Sequence, residues 1–298
     1  MRIAITGSHG LIGSALAVAL QARGDRVVRL VRDASGGAGD VAWDPAGGHI
    51  DAGGLEGVDA VIHLAGESLV SRWTAEQKKK IRESRLLGTR VLADALAGLH
   101  ARPRVMIGAS AVGYYGDRGD EVLTEASGPG TGFLAELCRE WEAAASPVRA
   151  AGIRLAHPRF GIVLAGQGGV LAKMAPVFRL GAGGPLGHGR QYLPWIALDD
   201  VVGAILFAVD RSDLDGPINV VAPKPVTNRE FTSALGRALG RPALIPVPAA
   251  ALRALFGEMA DEALLTSERV EPARLAGAGY VFRLPDLDAA LRHALAPA

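Results

Sequence analysis

Thr6-Gly7-Ser8-His9-Gly10-Leu11-Ile12-Gly13 decides the fold. The stretch follows an apolar run, Arg2 to Thr6, and opens a segment, Leu11 to Arg23, whose apolar residues recur at helical spacing until Gly24. A strand that passes through three glycines into a helix brings free backbone N–H groups and the positive helix end to one point. Glycines at positions 7, 10 and 13 let the chain turn sharply, let a pyrophosphate approach the backbone, and let the helix pack against the strand. The predicted cofactor contacts of this stretch are therefore Gly7, Ser8, His9, Gly10, Leu11, Ile12 and Gly13. Three glycines alone are a weak signal in a chain with 39 of them. The flanking strand and helix favour a dinucleotide site over a structural turn.

Working outward, Arg26 to Val31, Asp59 to Leu64 and Arg104 to Ala109 are further near-continuous apolar runs, as buried parallel strands require. Between them, Thr74 to Leu99 has the pattern of one long helix with Thr74 as N-cap and Glu76-Gln77 in the first turn. Its Lys78-Lys79-Lys80 run reads as a solvated face. Alternation of strands and helices predicts an α/β fold, a Rossmann-type doubly wound parallel sheet with a smaller C-terminal substrate-side region. Residues 1–163 form the dinucleotide-binding part, rejoined by about 193–222, and residues 164–298 form the substrate side. Beyond Ile153, helices are predicted near Val170 to Leu180 and Asp199 to Asp210, and a strand at Pro217 to Ala222. Pro242 to Pro248 marks a join to a small C-terminal helical piece.

With 32 Lys+Arg against 31 Asp+Glu the formal net charge is +1, which gives no basis for binding a nucleic acid or an anionic membrane surface. The nine-residue run Val201 to Val209 is far too short to cross a bilayer, and no signal-peptide core forms before Gly7. The lone cysteine, Cys138, has no disulfide partner in the chain, and no Cys/His cluster has the spacing of a metal site. A cytoplasmic location is the expectation. Of the basic residues, 27 are arginine and 5 lysine, so an arginine counts as evidence only through its position.

Position matters most after the second strand. An acidic residue about 20 positions past the glycine motif would bind the ribose 2′-OH of NAD, whereas an arginine accommodates the 2′-phosphate of NADP. Arg32 occupies this place and Asp33 follows it. The reading favours NADP through a charge-assisted contact from Arg32, with NAD the alternative if Asp33 holds the register.

These residues resemble the extended short-chain dehydrogenase/reductase superfamily, whose TGxxGxxG spacing Thr6 to Gly13 reproduces. Asp59 to Glu67 looks like the superfamily's fourth strand and the loop beneath the cofactor, which implies cofactor contacts at Leu64, Ala65, Gly66 and Glu67. A subgroup of atypical, NAD(P)-binding, nucleoside-diphosphate-sugar epimerase-like proteins is closer still. The matching blocks include Arg72-Trp73-Thr74, Ser84-Arg85 with Thr89, Ala109 to Gly116, Gly183 to Gly187, Gln191 with Trp195-Ile196, Asp199-Asp200, and a C-terminal piece from about Pro246 to Leu295. The superfamily resemblance implies a Ser and a YxxxK pair whose lysine tunes a catalytic tyrosine, whereas the resemblance to the atypical subgroup implies that the usual active-site residues are missing. The expected place reads Phe133 to Leu137, and no tyrosine in the chain has lysine four positions later.

Ser110 is therefore the leading candidate to hydrogen-bond a substrate carbonyl or hydroxyl. Tyr115, or its neighbour Tyr114, and Glu136 are candidate acid/base groups. Cys138 reads as a small buried hydrophobe. Arg72, Arg85, Arg159 and Arg190, with Trp73 and Gln191, fall in blocks that resemble the cleft lining and are candidates for binding a small-molecule substrate, an anionic one among them. Two functions remain open: an NADP(H)-dependent oxidoreductase or epimerase-like enzyme acting on a polar small molecule, and a non-catalytic NADP(H) sensor.

Overall fold

The computed structural model describes residues 1–32 and 39–296. Asp33 thus lies outside the described residues. The first strands are β1 (Arg2–Thr6), β2 (Arg26–Val31), β3 (Val41–Asp44), β4 (His49–Ile50), β5 (Ala60–His63), β6 (Val105–Gly108) and β7 (Ser110–Ala111). With strands Arg154–Phe160 and Gly216–Val220 they make one sheet, in the order Gly216–Val220, Arg154–Phe160, β6, β5, β1, β2, β3, β4, with β7 also beside Arg154–Phe160. All pairings in it are parallel except β3 with β4. The fold is the doubly wound α/β architecture that the sequence predicts.

Both faces of the sheet are covered, which is why its strands are apolar throughout. Ile3 and Ile5 point to one face, where helix α1 (Leu11–Ala22) and helix Leu198–Asp210 bury them with Leu16, Leu20, Ile205 and Val209. Ala4 points to the other, against helix α2 (Ala75–Gly98), where Leu92 and Leu96 meet Val28, Val61 and Met106. Thr74 caps α2 as predicted, its hydroxyl accepting the Gln77 N–H at 3.1 Å. β5 is shorter than the predicted Asp59 to Leu64. The Asp59 carboxylate takes the Arg2 N–H at 2.6 Å, and the Leu64 amide turns to the Thr6 hydroxyl at 3.1 Å. Among the described residues no helix is long and apolar enough to cross a membrane.

Register places the carboxyl ends of the central strands side by side: Thr6 opposite His63, and His63 opposite Gly108. From β1 the chain crosses to β2 on one side, where β3 and β4 follow, and the strands from β5 onward add on the other, so a crevice opens above β1 and β5 where such folds bind ligands. A third apolar cluster, with Phe178, Trp195, Phe231, Leu235 and Leu291, consolidates the second half of the chain.

The C-terminal piece is tied to the sheet domain at one helix end. Helix α3 (Phe133–Ala144) begins after Gly132, which has φ of 100° and offers no side-chain cap. Glu262 supplies the cap instead, its carboxylate accepting the N–H groups of Phe133 at 3.1 Å and Leu134 at 3.0 Å. A carboxylate there satisfies orphan donors and meets the positive end of the helix. Glu262→Ala should cost about 1 kcal/mol of stability, read from the midpoint of urea unfolding, with Glu262→Gln recovering part of it. An unchanged midpoint in Glu262→Ala would show that the cap holds nothing.

Candidate functional site

Two glycines in the loop between β1 and α1 are required by contact. Gly7 has φ of 68°, and a Cβ on it would lie 2.9 Å from the Ala65 nitrogen; a Cβ on Gly13 would lie 2.1 Å from the Gly7 carbonyl oxygen. The Gly10 N–H closes the turn onto the Gly7 oxygen at 3.0 Å. Among the described residues no side chain caps α1, so its first amides remain available, and the buried Ser8 hydroxyl has no hydrogen-bond partner there. Free amides, an orphaned hydroxyl and a cradle closed to any Cβ fit a pyrophosphate.

Under this loop lies a buried polar chain. Thr6 Oγ1 accepts the N–H groups of Leu64 and Ala65, both at 3.1 Å, and sits 2.7 Å from His63 Nδ1. Because its lone pairs are taken, Thr6 donates to Nδ1, which assigns the Nε2–H tautomer to His63. Nε2 then donates to Thr89 Oγ1 at 2.9 Å, which also accepts the indole N–H of Trp141 at 2.9 Å. His63 is fully buried, and burial, helped by the nearby Arg85 charge, lowers its pKa from 6.5 to about 4. This neutral histidine locks the ends of β1 and β5 to α2 and α3.

Two chambers open above that floor. The outer one, about 810 Å³, lies between the loop, the end of β2, Trp43 and the residues after β5. Arg29 and Arg32 both line it, with Asp40 and Glu67. The inner chamber, about 340 Å³, is walled by Leu69, Arg85, Ser110, Leu137, Cys138 and Trp141, among others. Gly7, Gly10 and Leu64 border both, so the two adjoin across the glycine loop and together form the candidate cleft. A larger opening of about 1100 Å³ lies across α1 and borders His9, Gly10 and Leu11. It touches none of the carboxyl ends of β1, β2 and β5, and the cleft is the better candidate on that ground.

The structure brings all twelve predicted cofactor residues to this cleft: Gly7, Ser8, His9, Gly10, Arg32, Leu64, Ala65, Gly66 and Glu67 in the outer chamber, and Leu11, Ile12 and Gly13 in the inner one. Of the predicted substrate residues it brings only Arg85. Arg159 is 3% exposed and its Nε and Nη2 grip Glu142 at 2.8 and 2.9 Å. Arg72 is exposed and donates to the Ala254 carbonyl, and Arg190 is exposed and lines neither chamber. Trp73 is buried among Ile81, Leu134, Leu137 and Met259, and Trp195 in the third core cluster. Gln191 is buried with Nε2 donating to the carbonyls of Leu186 and Leu264.

The acid/base candidates separate in the same way. Ser110 lines the inner chamber and donates to Glu142 Oε1 at 2.7 Å. Tyr115 does not face the cleft: it is fully buried, donates to Asn219 Oδ1 at 2.7 Å and accepts from Arg159 at 2.9 Å. Burial, the largest influence, raises its pKa. Tyr114 lies under the Arg159 guanidinium, 3.5 Å from ring centre to cation. Glu136 is exposed and borders an outer groove with Lys78 and Arg82. Cys138 is buried in the inner wall and burial pushes its thiol up to about 12, so it stays protonated. Sequence reasoning missed Arg29 and the pairing of Glu142. The first sits inside a strand and the second depends on residues 17 and 32 positions away.

The sequence profile of the NAD dependent epimerase/dehydratase family matches residues 3–221, and that of a domain of unknown function matches residues 247–294. An epimerase family protein of Mycobacterium leprae is 46% identical over 293 residues, covering 98% of this chain and 95% of the relative. The crystal structure of human epimerase family protein SDR39U1 (isoform 2) with NADPH superposes with a TM-score of 0.89 at 35% identity, covering 99% of each chain. A nucleoside-diphosphate sugar epimerase from Corynebacterium glutamicum superposes with a TM-score of 0.82 at 40% identity, covering 99% of this chain and 58% of that one.

The neutral His63 makes stability depend on pH. Its pKa is depressed in the folded state, so the unfolded chain binds the proton first; the stabilisation is full above pH 6.5 and is lost as pH falls toward 4. The loss should reach about 3 kcal/mol. Denaturant unfolding of the wild type and His63→Asn across this range should converge as pH falls, and parallel curves would contradict the assignment.

Proposed function

The chain belongs to the NAD dependent epimerase/dehydratase family, and from that membership we propose that it is an NADP(H)-dependent, epimerase-like oxidoreductase of a polar small molecule. The observation that carries the reading is the continuity of the cleft from Arg32 to Ser110 across the glycine loop. Gly7 to Gly13 would hold the pyrophosphate, with the Ser8 hydroxyl as a further donor. Arg29 and Arg32 would face the 2′-phosphate, and the human relative crystallised with NADPH supports that choice of cofactor. When bound, the nicotinamide supplies or accepts a hydride.

The proton side of the reaction falls to Ser110. Its hydroxyl proton points to Glu142, so its lone pairs are free to accept a substrate O–H. As the alcohol is oxidised, its proton passes to Ser110 while the Ser110 proton passes to Glu142. Two bonds from Arg159 fix the position of Glu142 beside Ser110. The Glu142 side chain is 15% exposed, which gives the proton a route to water. With this reading we keep a cytoplasmic location.

One observation favours a second reading, an NADP(H) sensor without turnover. The wall of α3 that faces the inner chamber consists of Leu134, Leu137, Cys138 and Trp141, with no tyrosine and no lysine. Turnover of a carbonyl or nucleotide-sugar substrate that disappears in Ser110→Ala would exclude the sensor. For the cofactor, calorimetric titration should give tighter binding of NADPH than of NADH. Arg32→Ala should weaken NADPH about tenfold, roughly 1.4 kcal/mol, because an exposed charge contact is partly screened. Unchanged NADPH affinity in that variant would remove the 2′-phosphate argument.

A further inference from the structure

Two arginines lie buried beside the cleft, and they are treated differently. Arg159 has a carboxylate partner, two bonds to Glu142, and faces the protein. Arg85 is 7% exposed and has no carboxylate within ion-pair distance among the described residues. Its hydrogen bonds run from Nη1 alone, to the carbonyl oxygens of Glu67 at 3.0 Å and Ile81 at 3.2 Å. The guanidinium carbon lies 4.9 Å from the centre of the Trp141 ring, which orients the plane, and the side chain lines the inner chamber. The edge formed by Nε and Nη2 carries no partner among the described residues.

An ionised guanidinium does not deprotonate in a protein, and burying it without a counter-charge is costly. A cost of that kind is retained where a ligand relieves it. The neighbours supply no unpaired negative charge to the chamber: Cys138 is held as a thiol, and Glu142 behind Ser110 is paired with Arg159. Glu67 acts on Arg85 only at longer range, and its side chain belongs to the outer chamber. The inner chamber therefore carries one fixed positive charge among apolar walls. A planar monoanion fits it, because a carboxylate takes two parallel N–H bonds from a guanidinium edge and cancels the charge. A phosphate dianion would leave one negative charge uncompensated in the same walls.

We propose that Arg85 is the carboxylate-binding residue of the inner chamber, so that the substrate is a short hydroxy or oxo monocarboxylate whose oxygen reaches Ser110 from the same 340 Å³ space. This rests on the cleft reading above and narrows its polar small molecule to one class. Chamber volume sets the size, since the nicotinamide end must share the space with only a few carbons. Arg85 is a binding residue here; the proton is still handled at Ser110.

The test uses the full chain saturated with NADP⁺ and follows tryptophan emission, which Trp141 beneath Arg85 makes sensitive to the site. The probes are lactate and pyruvate, their uncharged analogues propane-1,2-diol and hydroxyacetone, and inorganic phosphate. Saturable changes are expected with the two carboxylates and not with the uncharged analogues. Arg85→Lys, which keeps the charge and loses the planar edge, should weaken the carboxylates about tenfold. Arg85→Met should abolish their binding and unfold at an equal or higher temperature without ligand, because an uncompensated buried charge has been removed. Where Arg85→Met does not fold, Arg85→Lys carries the comparison. The proposal is overturned by tighter binding of phosphate than of the carboxylates, by equal binding in Arg85→Lys, or by no saturable carboxylate signal in protein that binds NADPH. Failure to bind NADPH at all would remove the cofactor reading instead.

Discussion

At the foot of α1 the Gly7 carbonyl oxygen lies 2.1 Å from where a Cβ on residue 13 would be. That approach fixes the rest of the cleft. It seats α1 against the end of β1, leaves the first helical amides facing the crevice, and carries Ser8 into a buried position with its hydroxyl unpaired. Thr6, immediately before the loop, ties β1 to the start of the segment after β5 through Leu64 and Ala65. His63 and Thr89 continue the tie to Trp141 on α3. The loop, the cofactor floor and the inner wall are thus one connected set of bonds.

Charge is distributed along the cleft in two ways. Where a charge is structural, it is compensated inside the protein: Glu142 by Arg159, and the α3 amides by Glu262. Where a ligand is expected, compensation is missing. Among the described residues Ser8 has no partner and Arg85 no carboxylate. Arg29 and Arg32 line one end of the cleft and Arg85 the other, with the glycine loop between them.

The part of this that was legible in the sequence is the part made by neighbours in the chain. β1, the glycine loop and α1 follow one another, and β2 came out at Arg26–Val31 as predicted because continuous apolar runs specify buried parallel strands. The substrate side was much less legible. Four arginines looked equivalent, and only three-dimensional pairing distinguishes Arg159, neutralised by Glu142, from Arg85, which is not. Tyr115 looked available for acid/base work, yet its hydroxyl is claimed by Asn219, 104 positions away. Glu262 as the cap of α3, 129 positions from Phe133, left no local signal, because the glycine that precedes the helix says only that the cap comes from elsewhere.

Under the proposed function one dinucleotide runs the length of this cleft, from the arginines at the end of β2 to the apolar wall of α3. A crystal structure of the protein with NADPH tests it most directly. The expected result has the 2′-phosphate at Arg32, the pyrophosphate on the amides after Gly7 with the Ser8 hydroxyl bonded to it, and the nicotinamide in the chamber that holds Ser110 and Arg85. An NADPH bound in the opening across α1, or one whose nicotinamide turns away from that chamber, would contradict it.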